Sequence, residues 1–576
     1  MQSSERTGLS DKPAVNAAAG FSAYPWLKSY PENVDWFATF RPAPLPDVLD
    51  QAVARFPSKL ATEFFGRRMT YAELAQAVNR AAKGLQGLGV GKGARVGLLF
   101  PNCPAFVIYY YATLKLGGTA VGMNPLYTAP ELTYQVKDAG AQIVITLDLR
   151  ATFPKAKALL DAKVVKHVVV ERFSDMLPRP KGLLFSLFKR KETASWTPGP
   201  GVVASKALMH NDGRFEPCTI DVNDVAALQY TGGTTGTPKG AMLTHANLSV
   251  NVQQCSAWFP GLAIEGEERF FCVIPFFHSF AMTAMMNFAI SKAALMIMIP
   301  RFELIQALKA IDATKPTILA GVPTLFNAIA KARDIAKHDL SSLKVCLSGG
   351  APLPLEVRRD FERVAGCRLL EGYGLSETSP VTHVNPIGVV KDGTIGLPLP
   401  GTIMSLRELG APDREVPLGQ RGEICIAGPQ VMKGYWNKPR ETAETFTGAF
   451  FRTGDVAYMD EEGFTYIVDR IKDLILCSGF NVYPRRIEEA IYEHPAVDEV
   501  TVIGIPDKYR GEAPKAFVKL RPEQQVTAQE MLEFLKPRIS KIEMPVSIEF
   551  REVLPKTLIG KLSKKELLAE EKAKRH

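Results

Sequence analysis

Two hydrophobic periods alternate along the first two-thirds of the chain. Short, almost wholly apolar runs, such as RVGLLF at residues 95–100, predict strands that are buried on both faces. A longer run at 104–116 begins with proline and predicts a helix. The succession recurs as strands at 120–123, 142–147, 225–228 and 344–347 and helices near 130–139 and 353–364. Strand–helix alternation predicts mostly parallel sheets that are covered by helices.

The C-terminal part of the chain has another pattern. From residue 473 onward, strands predicted at 500–505 and 516–520 alternate with charged helices, and the last helix is predicted over 563–574. The expected fold class is therefore α/β, with a large N-terminal domain over 26–471 and a small α+β domain over 472–576. Residues 1–25 contain no apolar core of signal-peptide length and are predicted to be a disordered lead-in.

The longest apolar stretch, residues 282–299, is interrupted by Asn287, Ser291 and Lys292. These polar positions disfavour a membrane-spanning helix. The stretch instead predicts a buried helix followed by a buried strand.

Composition and charge narrow the functional classes. Of the 576 residues, 46% are hydrophobic and 22% are charged, which is ordinary for a globular protein. The net charge of +9 favours anionic ligands such as nucleotides, but no arginine-rich arm predicts nucleic-acid binding. Eight scattered cysteines without a C-x-x-C pair disfavour zinc and indicate a reducing, cytoplasmic location.

One segment, FSDMLPRPKGLLFSLFKRK at 173–191, mixes apolar and basic residues. A basic amphipathic segment is typical of peripheral contact with the cytoplasmic face of a membrane. The alternative is a surface loop that is packed on the core.

The motif YTGGTTGTPKG at 230–240 follows a predicted strand. Glycines allow backbone N–H groups to turn toward an anion, and threonine and lysine side chains add donors and charge. The motif differs from a Walker A loop. It predicts a polyphosphate site made by Thr231, Gly232, Gly233, Thr234, Thr235, Gly236, Thr237 and Lys239.

This loop resembles the signature loop of the acyl-adenylate-forming enzymes, which include acyl-CoA synthetases, luciferases and the adenylation domains of peptide synthetases. Further motifs match in order: PFFHS at 275–279, SGGAP at 348–352, EGYGLSET at 371–378, RTGD at 452–455, DRIKD at 469–473 and PKTLIGK at 555–561. NPLYTAPEL at 124–132, GPQVMKGYW at 428–436 and SGFNVYPRRIEEAI at 478–491 resemble bacterial long-chain fatty-acid–CoA ligases in particular. The sequence departs from the family where Ser376 replaces threonine and Lys564 replaces arginine.

The resemblance implies a ligase that uses ATP and Mg²⁺ to convert a fatty acid into acyl-AMP, and then transfers the acyl group to coenzyme A. Lys561, Glu377 and Lys239 are the implied catalytic residues, and Glu377 with the Thr231 hydroxyl would hold the metal. The implied ATP site also contains Gly349, Gly350, Ala351, Glu371, Gly372, Tyr373, Gly374, Ser376, Asp455 and Arg470. A hinge at Lys472 would make the small domain mobile, withdrawing Lys561 and delivering Ser478, Gly479 and Phe480 to a coenzyme A channel.

The residues around Asp455 carry their own prediction. A run that starts at Asp455 turns at 461–463 and returns through 464–470, which predicts a hairpin. Asp455 would then lie opposite Arg470. The carboxylate could bind the ribose hydroxyls, or the two residues could form a structural ion pair.

An uncharged acyl group is expected because the sequence has no acidic residue between Glu268 and Glu303. The predicted acyl pocket is Phe277, His278, Met282, Gly321 and Val322, although an ordinary packed core would also explain several of these residues. His278 need not act as a base, because a fatty acid is already ionised at neutral pH.

Three alternatives remain open. The acid could be medium-chain or aryl, or the acceptor could be other than coenzyme A. The chain could also be a non-catalytic, nucleotide-dependent membrane-binding protein on this fold. A nicotinamide oxidoreductase is disfavoured because no G-x-G-x-x-G follows the first strand.

Overall fold

A computed structural model describes residues 24–574 apart from 190, 232–236, 479, 558 and 559. The predicted lead-in therefore lies outside the described residues up to position 23. The first described residue, Tyr24, packs against Trp36, with their ring centroids 4.4 Å apart. The predicted roles of Gly232, Gly233, Thr234, Thr235, Gly236 and Gly479 also lie outside this part of the chain.

Two mostly parallel sheets form the centre of the large domain. Their strands are β1 (Leu60–Phe64), β2 (Arg67–Thr70), β3 (Arg95–Leu99), β4 (Thr119–Met123), β5 (Ile143–Leu147), β6 (His167–Glu171), β7 (Val202–Ala204), β8 (Val225–Thr231), β9 (Lys239–Thr244), β10 (Arg269–Cys272), β11 (Leu295–Met298), β12 (Ile318–Gly321), β13 (Val345–Gly349), β14 (Leu369–Gly374), β15 (Val381–Val384) and β16 (Leu397–Pro398). One sheet has the order β7-β6-β5-β3-β4-β8-β9, and the other has the order β16-β15-β14-β13-β12-β10-β11-β1-β2.

The predicted strand–helix alternation is confirmed in these two sheets. Strands β3, β5, β12 and β13 are apolar and almost entirely buried, because helices cover both faces of the sheets. The helices are α1 (Leu45–Arg55), α2 (Tyr71–Gly87), α3 (Pro104–Lys115), α4 (Ala129–Ala139), α5 (Phe153–Asp161), α6 (Arg179–Phe188), α7 (Ser205–Leu208), α8 (His245–Trp258), α9 (Ser279–Ala281), α10 (Phe288–Ser291), α11 (Leu304–Thr314), α12 (Pro323–Ala330) and α13 (Leu355–Ala365).

The prediction of a buried helix and a buried strand over 282–299 is confirmed. A π-helical segment, Met282–Asn287, joins α9 to α10, and β11 follows. The side chains of the π-helical segment are all buried. No helix in the described ranges is long and apolar enough to cross a bilayer.

A third sheet, antiparallel throughout, completes the large domain and was not predicted apart from one hairpin. Its strands are β17 (Ile403–Glu408), β18 (Ala411–Glu415), β19 (Gly422–Ala427), β20 (Phe446–Thr447), β21 (Phe450–Met459) and β22 (Thr465–Arg470), with helix α14 (Pro439–Thr445) beside them. The hairpin β21–β22 places Asp455 opposite Arg470 in register. The predicted hairpin is therefore confirmed.

The C-terminal part has its own sheet and its own apolar core. Its elements are β23 (Ile475–Cys477), β24 (Phe480–Val482), α15 (Pro484–Tyr492), β25 (Val497–Asp507), β26 (Gly511–Leu520), α16 (Ala528–Leu535), β27 (Ser547–Phe550) and α17 (Lys564–Ala573). A short 3₁₀ turn, Ile471–Asp473, connects this small domain to β22. The strands predicted near 500–505 and 516–520 and the charged last helix are confirmed.

Strands β12, β13 and β14 are parallel neighbours, so their carboxyl ends lie at one edge of the sheet. In open α/β sheets, ligands bind in the crevice outside these ends. The glycine-rich ends of β13 and β14, which are paired through Gly349 and Gly372, therefore mark the expected site.

Candidate active site

The hairpin β8–β9 carries those ends of the predicted phosphate loop that lie within the described residues. Thr231 and Lys239 lie opposite each other in register at the end of the hairpin that the loop connects, and Thr237 is exposed. The Nζ of Lys239 lies 5.0 Å from the centroid of the Tyr435 ring. The loop between the strands thus starts from two residues that can present a hydroxyl and a positive charge.

Glu377 is held close to this hairpin. It lies in the 3₁₀ turn Ser376–Thr378, which contacts both β8 and β9. The side chain is only 8% exposed, and its Oε1 accepts a 2.8 Å hydrogen bond from the Tyr435 hydroxyl. The backbone N–H of Met432 donates to the carbonyl of Glu377 over 2.8 Å.

Tyr435 is a site residue that sequence reasoning missed. It joins Lys239, through its ring, to Glu377, through its hydroxyl. Burial and the Glu377 carboxylate raise the pKa of Tyr435, so the phenol stays a hydrogen-bond donor. Tyr435 belongs to the motif GPQVMKGYW, but the motif does not show what the residue contacts. In the structure, Tyr435 pairs with Ala241 of β9, which places it in the site.

Asp455 is the centre of a second polar cluster. Its Oδ1 accepts a 2.9 Å hydrogen bond from Arg470 Nε, and its Oδ2 accepts a 2.6 Å bond from the Tyr373 hydroxyl. Asp455 is 3% exposed, whereas Arg470 is exposed. The Asp455 carboxylate raises the pKa of Arg470, and burial raises the pKa of Tyr373. The hydrogen bonds therefore hold the Asp455 carboxylate in place, with Arg470 as its positively charged partner.

The other predicted nucleotide residues lie along the ends of β13 and β14. Gly349 ends β13 and is followed by Gly350 and Ala351, while Glu371, Gly372, Tyr373 and Gly374 belong to β14. Only glycine fits at Gly374, because an added Cβ would lie 1.9 Å from the carbonyl oxygen of Pro380.

Two polar contacts order the surroundings of these strand ends. Glu371 Oε1 accepts from the backbone N–H of Leu353 at 3.2 Å, and burial raises the pKa of this carboxyl to about 7. Ser376 Oγ lies 3.0 Å from Ser279 Oγ. Because Ser279 starts the helix after His278, this second contact links the Glu377 turn to the predicted acyl pocket.

Lys561 reaches this site from the small domain. A Cβ added to Gly350 would lie 2.8 Å from Lys561 Cε and 3.2 Å from its Nζ, so the lysine side chain passes directly over the Gly350 backbone. Burial, together with the positive charge of Arg470, lowers the pKa of Lys561 to about 8. A half-buried cation at the end of a parallel sheet, with Arg470 as well as Asp455 nearby, is suited to an anionic ligand.

His278 lies close enough to Lys561 to sense its charge. Burial and then Lys561 lower the pKa of His278 to about 3, so the imidazole is neutral at physiological pH. Its Nδ1 accepts a 3.3 Å hydrogen bond from the backbone N–H of Phe280. His278 is therefore a neutral neighbour of Lys561.

A narrow apolar cleft of about 30 Å³ runs into the large domain beside these strands. Its volume is close to that of one water molecule in the liquid. It is lined only by apolar and cysteine side chains: Cys255, Phe259, Leu262, Ala263, Ala284, Phe288, Ile318, Ala320, Val345, Leu347, Val381, Val384 and Leu399.

The predicted acyl-pocket residues flank this cleft but do not form its lining. Met282 lies two positions before Ala284, and Gly321 and Val322 directly follow Ala320. The ring of Phe277 is half-buried, and its carbonyl accepts from Gln229 Nε2 at 2.8 Å. Sequence reasoning missed Cys255 on α8 and Phe259 just after it, because this helix buries polar as well as apolar side chains and so shows no distinct apolar face.

The predicted hinge residue and the described members of the predicted coenzyme A set lie at the surface, in the connecting turn and in the β23–β24 hairpin. Lys472 is exposed in the connecting turn. Ser478 is exposed and donates its backbone N–H to the carbonyl of Arg510, and the side chain of Phe480 is 65% exposed. In this arrangement the small domain delivers its lysine to the site and presents the β23–β24 hairpin to solvent.

Comparison with known proteins identifies similar enzymes over nearly the whole chain. Residues 49–436 match the family of AMP-binding enzymes, and residues 486–561 match the C-terminal domain of AMP-binding enzymes. A long-chain-fatty-acid–CoA ligase of Bacillus subtilis is 43% identical over 560 residues, which are 96% of this chain and 99% of that protein. A long-chain-fatty-acid–CoA ligase of Escherichia coli O6:H1 is 38% identical and covers 95% of this chain and 98% of its own length.

Solved structures show the same architecture. An anthranilate–CoA ligase in complex with anthranoyl-AMP superposes with a TM-score of 0.83 at 26% identity, over 94% of this chain and 99% of that one. The o-succinylbenzoate–CoA synthetase of Bacillus subtilis, in complex with ATP and a magnesium ion, superposes with a TM-score of 0.75 at 26% identity, over 90% and 99%.

Proposed function

Because the chain belongs to the family of AMP-binding enzymes and is an AMP-forming acid–CoA ligase, we propose that its acid substrate is a long-chain fatty acid. The relatives from Bacillus subtilis and Escherichia coli carry that substrate in their names. This assignment supersedes the alternative of a non-catalytic protein, and it ranks medium-chain and aryl acids below long-chain ones.

The observation that carries the proposal is the position of the apolar cleft relative to Lys561. Ala320 of β12 and Leu347 of β13 line the cleft. Val322 and Gly350, two and three residues further along and just beyond the ends of these strands, adjoin Gly560 and Lys561. At about 3.3 Å per strand residue, the cleft mouth lies within roughly 10 Å of the lysine. A carboxylate can thus reach the charged end of the site while its alkyl chain points toward the cleft, whose apolar lining must move apart to admit it.

In the first half-reaction, a carboxylate oxygen attacks the α-phosphorus of ATP, the bond to the β-phosphate oxygen breaks, and pyrophosphate leaves. Negative charge that develops on the phosphoryl oxygens is stabilised by Lys561. Thr231, Thr237 and Lys239 hold the outgoing phosphates, and Asp455 accepts hydrogen bonds from the ribose hydroxyls. The strand ends at Gly349–Ala351 and Glu371–Ser376 form the adenine pocket.

The donor set fits one Mg²⁺ ion. Magnesium in nucleotide sites is held by one or two protein oxygens together with phosphates and waters, so a cluster of carboxylates is not required. In the described part of the chain, Glu377 Oε2 makes no hydrogen bond, whereas Oε1 is oriented by Tyr435. Glu377 and the Thr231 hydroxyl would hold the ion. When bound, it would neutralise charge on the ATP phosphates.

In the second half-reaction, the thiol of coenzyme A attacks the acyl carbonyl, the bond to the phosphate oxygen breaks, and AMP leaves as the thiol proton is lost. The exposed Ser478 and Phe480 can reach the site only if the small domain turns about Lys472, which removes Lys561. One site therefore serves two steps through a domain rotation.

The substrate proposal predicts chain-length selection by the cleft. In the wild type, acid-dependent ATP–pyrophosphate exchange should rise from octanoate to palmitate. Replacing Ala284 with phenylalanine should prevent the cleft from widening around the alkyl chain. If about four methylenes of palmitate then stay unburied, the loss is roughly 3 kcal/mol, or about 200-fold in kcat/KM. Octanoate should be activated as before, since its shorter chain does not reach the substituted position.

Activity with octanoate also serves as the folding control for this variant, and Ala284→Leu should give an intermediate loss with palmitate. If benzoate were preferred to every fatty acid, the substrate assignment would be wrong. If the variant lost all acids equally, Ala284 would not line the acyl path.

We also propose that the protein contacts the cytoplasmic face of an anionic membrane through α6. The helix has an inner face, because a Cβ on Gly182 would lie 2.6 Å from the carbonyl oxygen of Ser174, and Phe185 packs on Phe173 with ring centroids 4.8 Å apart. Its outer face is apolar and 52–78% exposed at Leu183, Leu184, Leu187 and Phe188.

The charge around this face favours an anionic lipid surface. Arg179, Lys181, Lys189 and Lys191 are exposed, and none forms an ion pair with a carboxylate in the described residues. An apolar stripe bordered by basic residues is typical of helices that lie in a membrane interface. Each basic residue near such a surface contributes about 1 kcal/mol.

Co-sedimentation with vesicles measures this contact. The wild type should bind phosphatidylcholine vesicles that contain phosphatidylglycerol, and Leu183→Glu/Leu187→Glu should weaken binding about tenfold or more. Leu126→Glu/Ile305→Glu, which changes two equally exposed apolar residues elsewhere, is the matched control. Equal binding by both double variants, or no binding by the wild type, would contradict the proposal.

A further inference from the structure

Helix α12 of the large domain presents one row of polar side chains to the small domain. Thr324 and Asn327, spaced i and i+3, share one face of the helix, and Lys331, the residue that caps its C-terminal end, continues the row at i+7. The Thr324 hydroxyl donates to the carbonyl of Gly560 over 3.0 Å. The amide of Asn327 and the ammonium of Lys331 both approach Asp498, at 3.5 Å and 3.4 Å.

The Thr324 contact lies directly beside the proposed catalytic lysine. Gly560 precedes Lys561 and has a φ of +81°, in the left-handed region that favours glycine. A Cβ on Gly560 would lie 2.8 Å from Thr324 Oγ1 and 3.3 Å from Val322 Cγ2, so the two backbones are close here. The hydrogen bond therefore fixes the chain at the peptide from which Lys561 extends.

Two described residues of the Lys561 loop, Thr557 and Lys561 itself, are bonded to each other within the small domain. Thr557 N–H donates to the carbonyl of Lys561 at 2.6 Å, and Lys561 N–H donates to Thr557 Oγ1 at 3.2 Å. These bonds close the loop on itself but do not relate it to the large domain. Among the described residues of the loop, the bond that the Gly560 carbonyl accepts from Thr324 is the hydrogen bond to the large domain.

We propose that Thr324 is a positioning residue for the first half-reaction: its hydroxyl holds the Gly560 carbonyl so that Lys561 lies over Gly350 at the α-phosphate position. The inference rests on the proposed function, because it takes Lys561 to act in acyl-AMP formation. Rotation of the small domain must break the bond from Thr324, so Thr324 acts in one half-reaction only.

The contacts of α12 suit a reversible interface. They are single polar contacts, and the Lys331–Asp498 pair is partly solvated. Asp498 is also paired with Lys519 of its own domain at 2.5 Å, so it keeps a partner when the small domain rotates. The polar side chains of α12 can therefore favour the orientation that places Lys561 at the site without preventing the rotation of the small domain.

The two half-reactions, measured separately, test the role of Thr324. In Thr324→Val the hydroxyl is lost with little change of shape, and we expect kcat for ATP–pyrophosphate exchange with palmitate to fall about 3- to 10-fold. The KM values for ATP and palmitate should not change. Coenzyme A thioester formation from supplied palmitoyl-AMP should stay within about twofold of the wild type, since the bond is absent in that orientation.

Two control variants separate positioning from folding. Thr324→Ser keeps the donor and should restore exchange. Thr133→Val removes a helix hydroxyl that bonds only within α4, and it should leave both half-reactions unchanged. Equal losses in both half-reactions of Thr324→Val, or failure of Thr324→Ser to restore exchange, would overturn the inference.

A double variant shows whether Thr324 acts through Lys561. In the Lys561→Ala background, Thr324→Val should cause no further loss of exchange, because the group that it positions is gone. An additional loss of the same size would mean that Thr324 acts independently and would overturn the proposal. If the wild type itself showed no exchange, the proposed function would fail first, which is a distinguishable result.

Discussion

Replacing Lys561 with alanine is expected to lower the rate of acyl-AMP formation at least about 100-fold, while thioester formation from supplied acyl-AMP is retained. The lysine lies over Gly350 at the carboxyl end of β13, where the α-phosphate would lie. In the orientation that admits coenzyme A, the same residue is withdrawn. Palmitate-dependent pyrophosphate exchange and thioester synthesis from palmitoyl-AMP measure the two effects.

The control for this variant is Lys565→Ala. Lys565 is an exposed lysine in α17, four positions further along the chain, and its removal should change neither half-reaction. If Lys561→Ala retained full pyrophosphate exchange and lost thioester synthesis instead, the assigned role would be wrong. Equal losses in both would indicate general damage to the site.

The pH dependence of the wild type provides an independent check of Lys561. Because burial lowers the pKa of Lys561 to about 8, the side chain is charged below that pH and becomes neutral as the pH rises through it. In kcat/KM, which reports the free enzyme, adenylation should therefore decline above about pH 8. Bound phosphates favour the charged lysine, so the decline in kcat should occur at higher pH. Neither decline should occur in Lys561→Ala.

The sequence correctly predicted those elements of the large domain that one hydrophobic period, of a strand or of a helix, is enough to identify. The run at 95–100 had the length and the apolar composition of a strand with both faces buried, and the run that begins at Pro104 had the length and the first residue of a helix. The Asp455–Arg470 pair followed from hairpin register alone. In these cases the deciding interactions are local, so the pattern of neighbouring residues contains them.

The rest of the site depends on contacts between distant segments. Tyr435 reaches Glu377 across 58 residues of sequence, and Thr324 reaches Gly560 across 236. The cleft lining combines a face of α8 with β12, β13 and β15, each of which is apolar for ordinary packing reasons. Sequence periodicity predicts that such residues are buried. It does not predict which of the buried faces border a cavity.

The Glu377 carboxylate is the second position at which a single substitution is expected to have a large effect. Glu377→Gln keeps the shape and the partner hydroxyl of Tyr435 but removes the charge that would hold Mg²⁺ beside Thr231. We expect pyrophosphate exchange to fall about 100- to 1000-fold, since transition-state charge on the phosphates is then less well neutralised. The Mg²⁺ concentration for half-maximal rate should also rise.

Tyr435→Phe tests the orientation of the Glu377 carboxylate separately from its charge. It removes only the hydroxyl that donates to Glu377 Oε1, so the charge stays and the side chain is less well held. Losing such a supporting hydrogen bond at a metal ligand costs about 10- to 100-fold. Tyr435→Phe should therefore lie between the wild type and Glu377→Gln in both rate and Mg²⁺ requirement. If Glu377→Gln lost activity with an unchanged Mg²⁺ dependence, Glu377 would contact the nucleotide or the loop rather than the metal.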